Sequence, residues 1–136
     1  MEILSKDKLL NLSGKTAIVT GGSLGIGYGI SYRLAEAGAN VVITNRNIEE
    51  VNKAVEELKQ KGFKVAGVKC DVALEDEVKN LVTESVRAFG SVDILVNNAG
   101  MFPFAPLSQL TSELFDKVIA TNLRGVFLTT KYVSEQ

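Results

Sequence analysis

The chain of 136 residues contains no histidine and a single cysteine, Cys70. Without histidine there is no imidazole acid–base chemistry, and a lone thiol cannot supply the usual nitrogen and sulfur ligands of a zinc site. No metal centre is therefore expected. One cysteine forms no internal disulfide, so the chain does not read as a stapled secreted domain. Nothing approaches the ~18 consecutive apolar residues of a membrane span. Residues 1–15, MEILSKDKLLNLSGK, are broken by charge every few positions and are not read as a signal-peptide core. A cytoplasmic location without membrane contact is the expectation. An excess of charge of one sign is also lacking. Lys plus Arg number 15 and Asp plus Glu 16, for a net charge of −1, which does not suit a nucleic-acid binder that relies on phosphate contacts. What remains is 46% hydrophobic and 23% charged, the composition of one ordinary globular domain over residues 1–136.

Four short apolar runs stand out: TAIVT (16–20), NVVIT (40–44), KVAGVKC (64–70) and VDILV (92–96). Each is rich in Val and Ile and nearly apolar throughout, the pattern of parallel strands covered on both faces. Helical patterns lie between them. The first carries Ile26, Ile30 and Leu34 and stops at Gly38. The second carries Ile48, Val51, Val55 and Leu58, with Asn47 as its cap, Glu49 and Glu50 in its first turn and Gly62 after its end. The third, over 73–89, carries Leu74, Val78, Leu81, Val82, Val86 and Phe89, then Gly90. The last begins near Thr111 and runs through Leu114, Phe115, Val118, Ile119, Val126 and Phe127. The order β-α-β-α-β-α-β-α predicts an α/β fold with a parallel sheet and right-handed crossovers. Both prolines, Pro103 and Pro106, fall in the one long loop, 97–110, and a loop of that length is often functional.

Four glycines crowd the stretch TGGSLGIG (20–27), between the first strand and the first helix. A helix start offers unpaired N–H groups and a positive dipole end, and glycine lets backbone approach a phosphate closely. The spacing Gly21-x-x-x-Gly25-x-Gly27 is not the G-x-G-x-x-G fingerprint. Nor is it a P-loop, because Tyr28 and Gly29 stand where Lys-Ser/Thr is required. A flexible turn that lets helix and strand pack closely is the competing explanation. The strand before and the helix after favour a phosphate cradle. Asn45 and Arg46 follow the second strand, with no acid at 44–47. A carboxylate there would hold the ribose 2′-hydroxyl of NAD, whereas a guanidinium suits the 2′-phosphate of NADP. NADP is favoured over NAD, with a solvated Arg46 as the alternative.

Together the motifs TGGSLGIG, CDV (70–72), NNAG (97–100) and NLRG (122–125) resemble the short-chain dehydrogenase/reductase family, in the right order over residues 12–127. The resemblance implies a Rossmann-like doubly wound sheet, here with strands 3-2-1-4 and flanking helices. It implies an NAD(P)(H)-dependent oxidoreductase transferring hydride between nicotinamide and a small carbonyl or alcohol substrate, and a homo-oligomer. It places Gly21, Ser23, Leu24, Gly25, Ile26, Gly27, Asn45, Arg46, Asp71, Val72, Asn98, Ala99 and Gly100 around the cofactor, Asp71 and Val72 facing the adenine. Asp71 is equally a helix N-cap, and Asn97 suits a structural role. Asn122, polar on the stripe Phe115, Val118, Val126, matches the Asn that organises a proton-relay water. A helix–helix hydrogen bond is its alternative. Leu24 departs from the pattern, since many NADP-preferring relatives carry a basic residue there. The family's Tyr-x-x-x-Lys is absent: Tyr28, Tyr32 and Tyr132 are followed at the fourth place by Tyr32, Glu36 and Gln136. The expectation is a cofactor-binding half, truncated before the catalytic Ser, Tyr and Lys, with VDILV as an unpaired edge and marginal stability or self-association. A non-catalytic dinucleotide- or partner-binding module is the alternative, and an unrelated nucleotide-binding α/β enzyme a distant third. Met101, Phe102, Pro103 and Phe104 form an apolar lip over a substrate or, with slight preference, pack under the last helix.

Overall fold

In the computed structural model, which describes residues 10–136, the apolar runs form one parallel sheet of four strands. These are β1 (Thr16–Thr20), β2 (Asn40–Asn45), β3 (Val65–Lys69) and β4 (Ile94–Val96), in the order β3-β2-β1-β4. Most of the opening segment 1–15, including its signal-peptide reading, lies outside the described residues. The central strands are buried on both faces, as their unbroken hydrophobicity requires. Every residue of β1 is buried, as are Val41, Val42, Ile43 and Thr44 of β2. Strand alternation then divides the core. Val19, Val41 and Ile43 face one layer, and Ile18 and Val42 face the other. Each such side chain contributes about 1.5–3 kcal/mol on burial. β3, at the edge, is buried only at Val65 and alternates thereafter, so it does not behave as a strand covered on both faces. The opposite edge, β4, is three half-buried residues, which shortens the exposed ladder that the longer run 92–96 predicts.

The helices are α1 (Gly25–Glu36), α2 (Ile48–Gln60), α3 (Glu75–Phe89), α4 (Ser112–Ile119) and α5 (Gly125–Val133), with a π-helical turn, Ala120–Arg124, between the last two. Among the described residues, no helix is long and apolar enough to cross a membrane. α2 follows expectation. Asn47 accepts the Glu49 N–H at 2.9 Å, and Val51, Ala54 and Leu58 are buried.

Of the expected apolar face of α1, Ile30 and Leu34 are half-buried and pack against the core, but Ile26 does not. The buried residues of this helix are Gly27, Ser31 and Ala35, and Ile26 is 80% exposed. Small residues at every fourth position let this helix lie directly on the glycine loop. A Cβ on Gly27 would stand 2.1 Å from the Gly21 carbonyl oxygen. Ser31, also buried, donates its hydroxyl to the carbonyls of Gly22 (3.1 Å) and Gly27 (3.0 Å).

α3 begins at Glu75 rather than 73, and Leu74 is 51% exposed. Asp71 therefore caps a turn instead of the helix, its carboxylate accepting the Ala73 N–H at 3.0 Å. The last helical segment also departs from expectation. Only Gly125, Leu128 and Thr129 of α5 are buried, and none of α4. Gly125 lies so near Val72 that a Cβ would approach its Cγ2 to 2.7 Å. Phe115, Ile119, Leu123 and Phe127, four residues apart, form an exposed apolar ridge. Asn122 sits beside that ridge and is exposed, so it is not a buried amide.

Candidate functional site

The C-terminal ends of parallel strands are where open α/β sheets bind ligands, at the point where strand order reverses. Here β1 meets both β2 and β4, so the reversal falls at Thr20 and the glycine loop. Thr20 is 1% exposed and holds the two strand ends together. Its hydroxyl accepts the N–H groups of Asn98 and Ala99, each at 3.0 Å, and donates to the Val96 carbonyl at 3.2 Å. The Asn98 side-chain amide donates to the carbonyls of Thr20 (2.9 Å) and Gly21 (3.2 Å). Asn97 accepts from the Thr129 hydroxyl at 2.6 Å and donates to Thr130 at 3.3 Å, anchoring β4 to α5. The structural role expected of Asn97 is thus matched by one for Asn98, whose NH2 group is engaged by backbone.

A cleft of about 340 Å³ opens above these ends, lined by Gly21, Asn45, Arg46, Glu50, Cys70, Asp71, Val72, Asn98, Ala99, Gly100 and Thr121. Eight of the residues expected at a cofactor thus share one cavity. Ser23, Leu24 and Gly25 line an adjoining hollow of about 300 Å³ between α1 and α2. Ile26 points to solvent and Gly27 is buried beneath the loop.

The start of α1 differs electrically from those of its neighbours. α2, α3 and α4 carry acidic residues in their first turns, whereas α1 carries none, and Leu24 provides no side-chain cap. Its positive end is left without a counter-charge from its own first turn. Gly21 (φ +63°) and Gly25 (φ +53°) take left-handed conformations that bare the loop surface, and a Cβ at Gly25 would meet nothing within 4 Å. This donor set and its open face fit a phosphate.

Across the cleft floor, Cys70 is 2% exposed, and its thiol is pushed up to about 12 by burial and then by the carboxylates of Glu77 and Asp71. It is neither nucleophile nor ligand near neutrality. Glu77 accepts the Asp71 N–H at 2.7 Å, fixing the end of β3. Asn122 bonds both backbone groups of Met101, accepting its N–H at 2.8 Å and donating to its carbonyl at 2.9 Å. It links the π-helical turn to the loop after β4 and does not line the cleft. Phe102 (84% exposed) and Phe104 (95%) do not pack under the last helix, whereas Met101 and Pro103 are half-buried.

Sequence reasoning missed Thr20, Glu50 and Thr121. Thr20 carried a signal, a polar residue closing an otherwise buried strand. Glu50 lies in the first turn of α2 and reads as a dipole partner, and nothing in its local pattern announces the cleft.

The family model for short chain dehydrogenase matches residues 15–136. The chain is 44% identical over 123 residues to a 3-oxoacyl-[acyl-carrier-protein] reductase, FabG, of Staphylococcus epidermidis, covering 90% of this chain and 50% of that protein. A dehydrogenase/reductase from Sinorhizobium meliloti 1021 superposes with a TM-score of 0.92 at 39% identity, over 96% of this chain and 52% of the other. A gluconate 5-dehydrogenase from Burkholderia cenocepacia J2315, solved with NADP and tartrate, gives 0.89 at 34% identity, over 96% and 51%. The chain spans about half the length of the relatives it matches. With the loop, the strand order and the cleft in agreement, the chain belongs to the short-chain dehydrogenase/reductase family of oxidoreductases.

Proposed function

We propose that this chain is the dinucleotide-binding half of an NAD(P)(H)-dependent oxidoreductase acting on a small carbonyl or alcohol substrate, with NADP(H) preferred. The observation that carries the proposal is the single cleft joining the glycine loop to Arg46. When bound, the nicotinamide supplies or accepts the hydride. The chain's own residues bind and orient. Backbone N–H groups at the start of α1, over Gly25, Ile26 and Gly27, would take the pyrophosphate, with Ser23 and Leu24 shaping the loop. Asp71 and Val72 would flank the adenine, and Ala99 and Gly100, with the backbone of Asn98, the ribose beyond it. Arg46, exposed beside Asn45, suits a 2′-phosphate in charge and geometry. Asn122 acts as a positioning residue through Met101 rather than by touching reacting atoms. A homo-oligomer assembled in the cytoplasm completes the proposal. The test is a titration with NADPH and NADH, followed by Arg46→Asp. A preference for NADPH that collapses in the variant supports the assignment, and an unchanged preference removes Arg46 from it.

A second proposal is a non-catalytic dinucleotide- or partner-binding module. The intact mass of the protein made from its own gene discriminates the two. A Ser and a Tyr-x-x-x-Lys following in frame support the enzyme.

A further inference from the structure

Arg46 shares its cleft with a carboxylate that neither the glycine loop nor β2 supplies. Glu50, from the first turn of α2, lines the same cavity as Asn45 and Arg46. The Asn45 side chain is spent on the protein. Its NH2 group donates to Ser23 Oγ at 2.7 Å and to Glu50 Oε2 at 3.0 Å, and its oxygen accepts the Arg46 N–H at 2.6 Å. Asn45 therefore has no N–H left to offer a ligand. Ser23 is 4% exposed, so loop, strand end and helix start form one clasp that holds the Glu50 carboxylate in place.

We infer that Glu50 is a specificity-determining residue, which favours a ribose 2′-hydroxyl in this cleft and opposes the 2′-phosphate that Arg46 attracts. The inference rests on the dinucleotide proposal above. A carboxylate accepts hydrogen bonds only. A hydroxyl has a proton to give it, whereas a phosphate monoester carries like charge and is mostly deprotonated near neutrality. The guanidinium is exposed and solvent-screened, while the carboxylate is half-buried and tied to Asn45. The NADP preference is accordingly weaker than Arg46 alone would produce.

The experiment measures NADPH and NADH dissociation constants by equilibrium fluorescence on the full chain, for wild type, Glu50→Gln and Glu50→Ala, with thermal melts as a folding control. Gln keeps an acceptor for Asn45 and removes the charge. Glu50→Gln is expected to tighten NADPH about 3–10-fold while leaving NADH unchanged or weaker, with the gain shrinking at high salt. Glu50→Ala is expected to lose the clasp and weaken NADH more than NADPH. An unchanged NADPH/NADH ratio in Glu50→Gln, with Ala weakening both equally, overturns the inference and leaves the dinucleotide proposal standing. Wild type binding neither nucleotide overturns both.

Discussion

Two buried threonines at equivalent ends of neighbouring strands make a matched pair for testing what closes the cleft. Thr20 and Thr44 are register partners on β1 and β2, 1% and 0% exposed. Valine replaces either with almost no change of shape. At Thr20 the substitution removes three hydrogen bonds. The Asn98 N–H retains the Val96 carbonyl at 3.1 Å, but the Ala99 N–H is orphaned. An unsatisfied donor at this part-buried position costs about 1–3 kcal/mol, and each further bond about 0.5–1.5 kcal/mol. The apolar gain of the new methyl offsets roughly 1 kcal/mol, leaving a net loss of about 1–5 kcal/mol. At Thr44 the hydroxyl has no hydrogen-bond partner of normal geometry, the neighbouring Cys70 thiol being a weak donor at best. Thr44→Val should be neutral or stabilising by up to about 1 kcal/mol. Urea unfolding of the two variants reads the difference directly. It also separates their melting temperatures by roughly 10 °C for a domain of this size. Equal shifts in both variants would show that Thr20 does not clamp the strand ends and would refute the account of how the cleft is held.

Other outcomes follow from the same geometry. Gly27→Ala should abolish stable folding or cost more than about 3 kcal/mol, because the Gly21 backbone, with the bonded Asn98 amide beside it, opposes the new Cβ. Gly29→Ala, where a Cβ meets nothing within 4 Å in the exposed face of α1, should stabilise by about 0.5–1 kcal/mol; circular-dichroism melts distinguish the two. Cys70 should resist a disulfide reagent at pH 8 in the native protein and react only as fast as the chain opens, and immediate labelling would contradict its burial. The Asp93 carboxyl is held below its ordinary value by Lys15 and then by the Thr16 N–H. Its contribution is present above the unfolded carboxylate pKa of about 4 and is lost as pH falls through the lower folded value. Asp93→Asn should therefore flatten the acid limb of a stability–pH curve and leave its alkaline limb unchanged.

The central strands were legible because burial on both faces leaves an unmistakable mark, runs such as TAIVT and NVVIT with no polar residue inside, whereas their order 3-2-1-4 came from the family resemblance. The placement of TGGSLGIG followed from its neighbours. What hydropathy could not show was contact made through smallness. Gly27, Ser31 and Ala35 carry little apolar signal, yet they are the face on which α1 rests, while the more hydrophobic Ile26 is turned outward. Asn122 illustrates the converse. Its place on an apolar stripe suggested burial, but the π-helical turn and the exposed ridge shift the helix so that the amide meets Met101 at the surface. Glu50 was out of reach for a third reason, because it is tied to the glycine loop only through Asn45, which bonds both Glu50 and Ser23, twenty-seven residues apart in chain order.

The Thr20 clamp also has a kinetic meaning. It joins residues 76 to 79 positions apart, whereas β1, β2 and β3 pair over roughly a third of that separation. Loop closure favours the nearer contacts first. On a ribosome, the glycine loop, Arg46 and Asp71 emerge and associate while β4 is still unmade, and for that interval one wall of the cleft is missing. A nucleotide that needs both walls cannot assist the early steps of folding. It can only select the chain after Asn98 and Ala99 have closed on Thr20, so ligand stabilisation should appear in the unfolding rate rather than in the rate of folding.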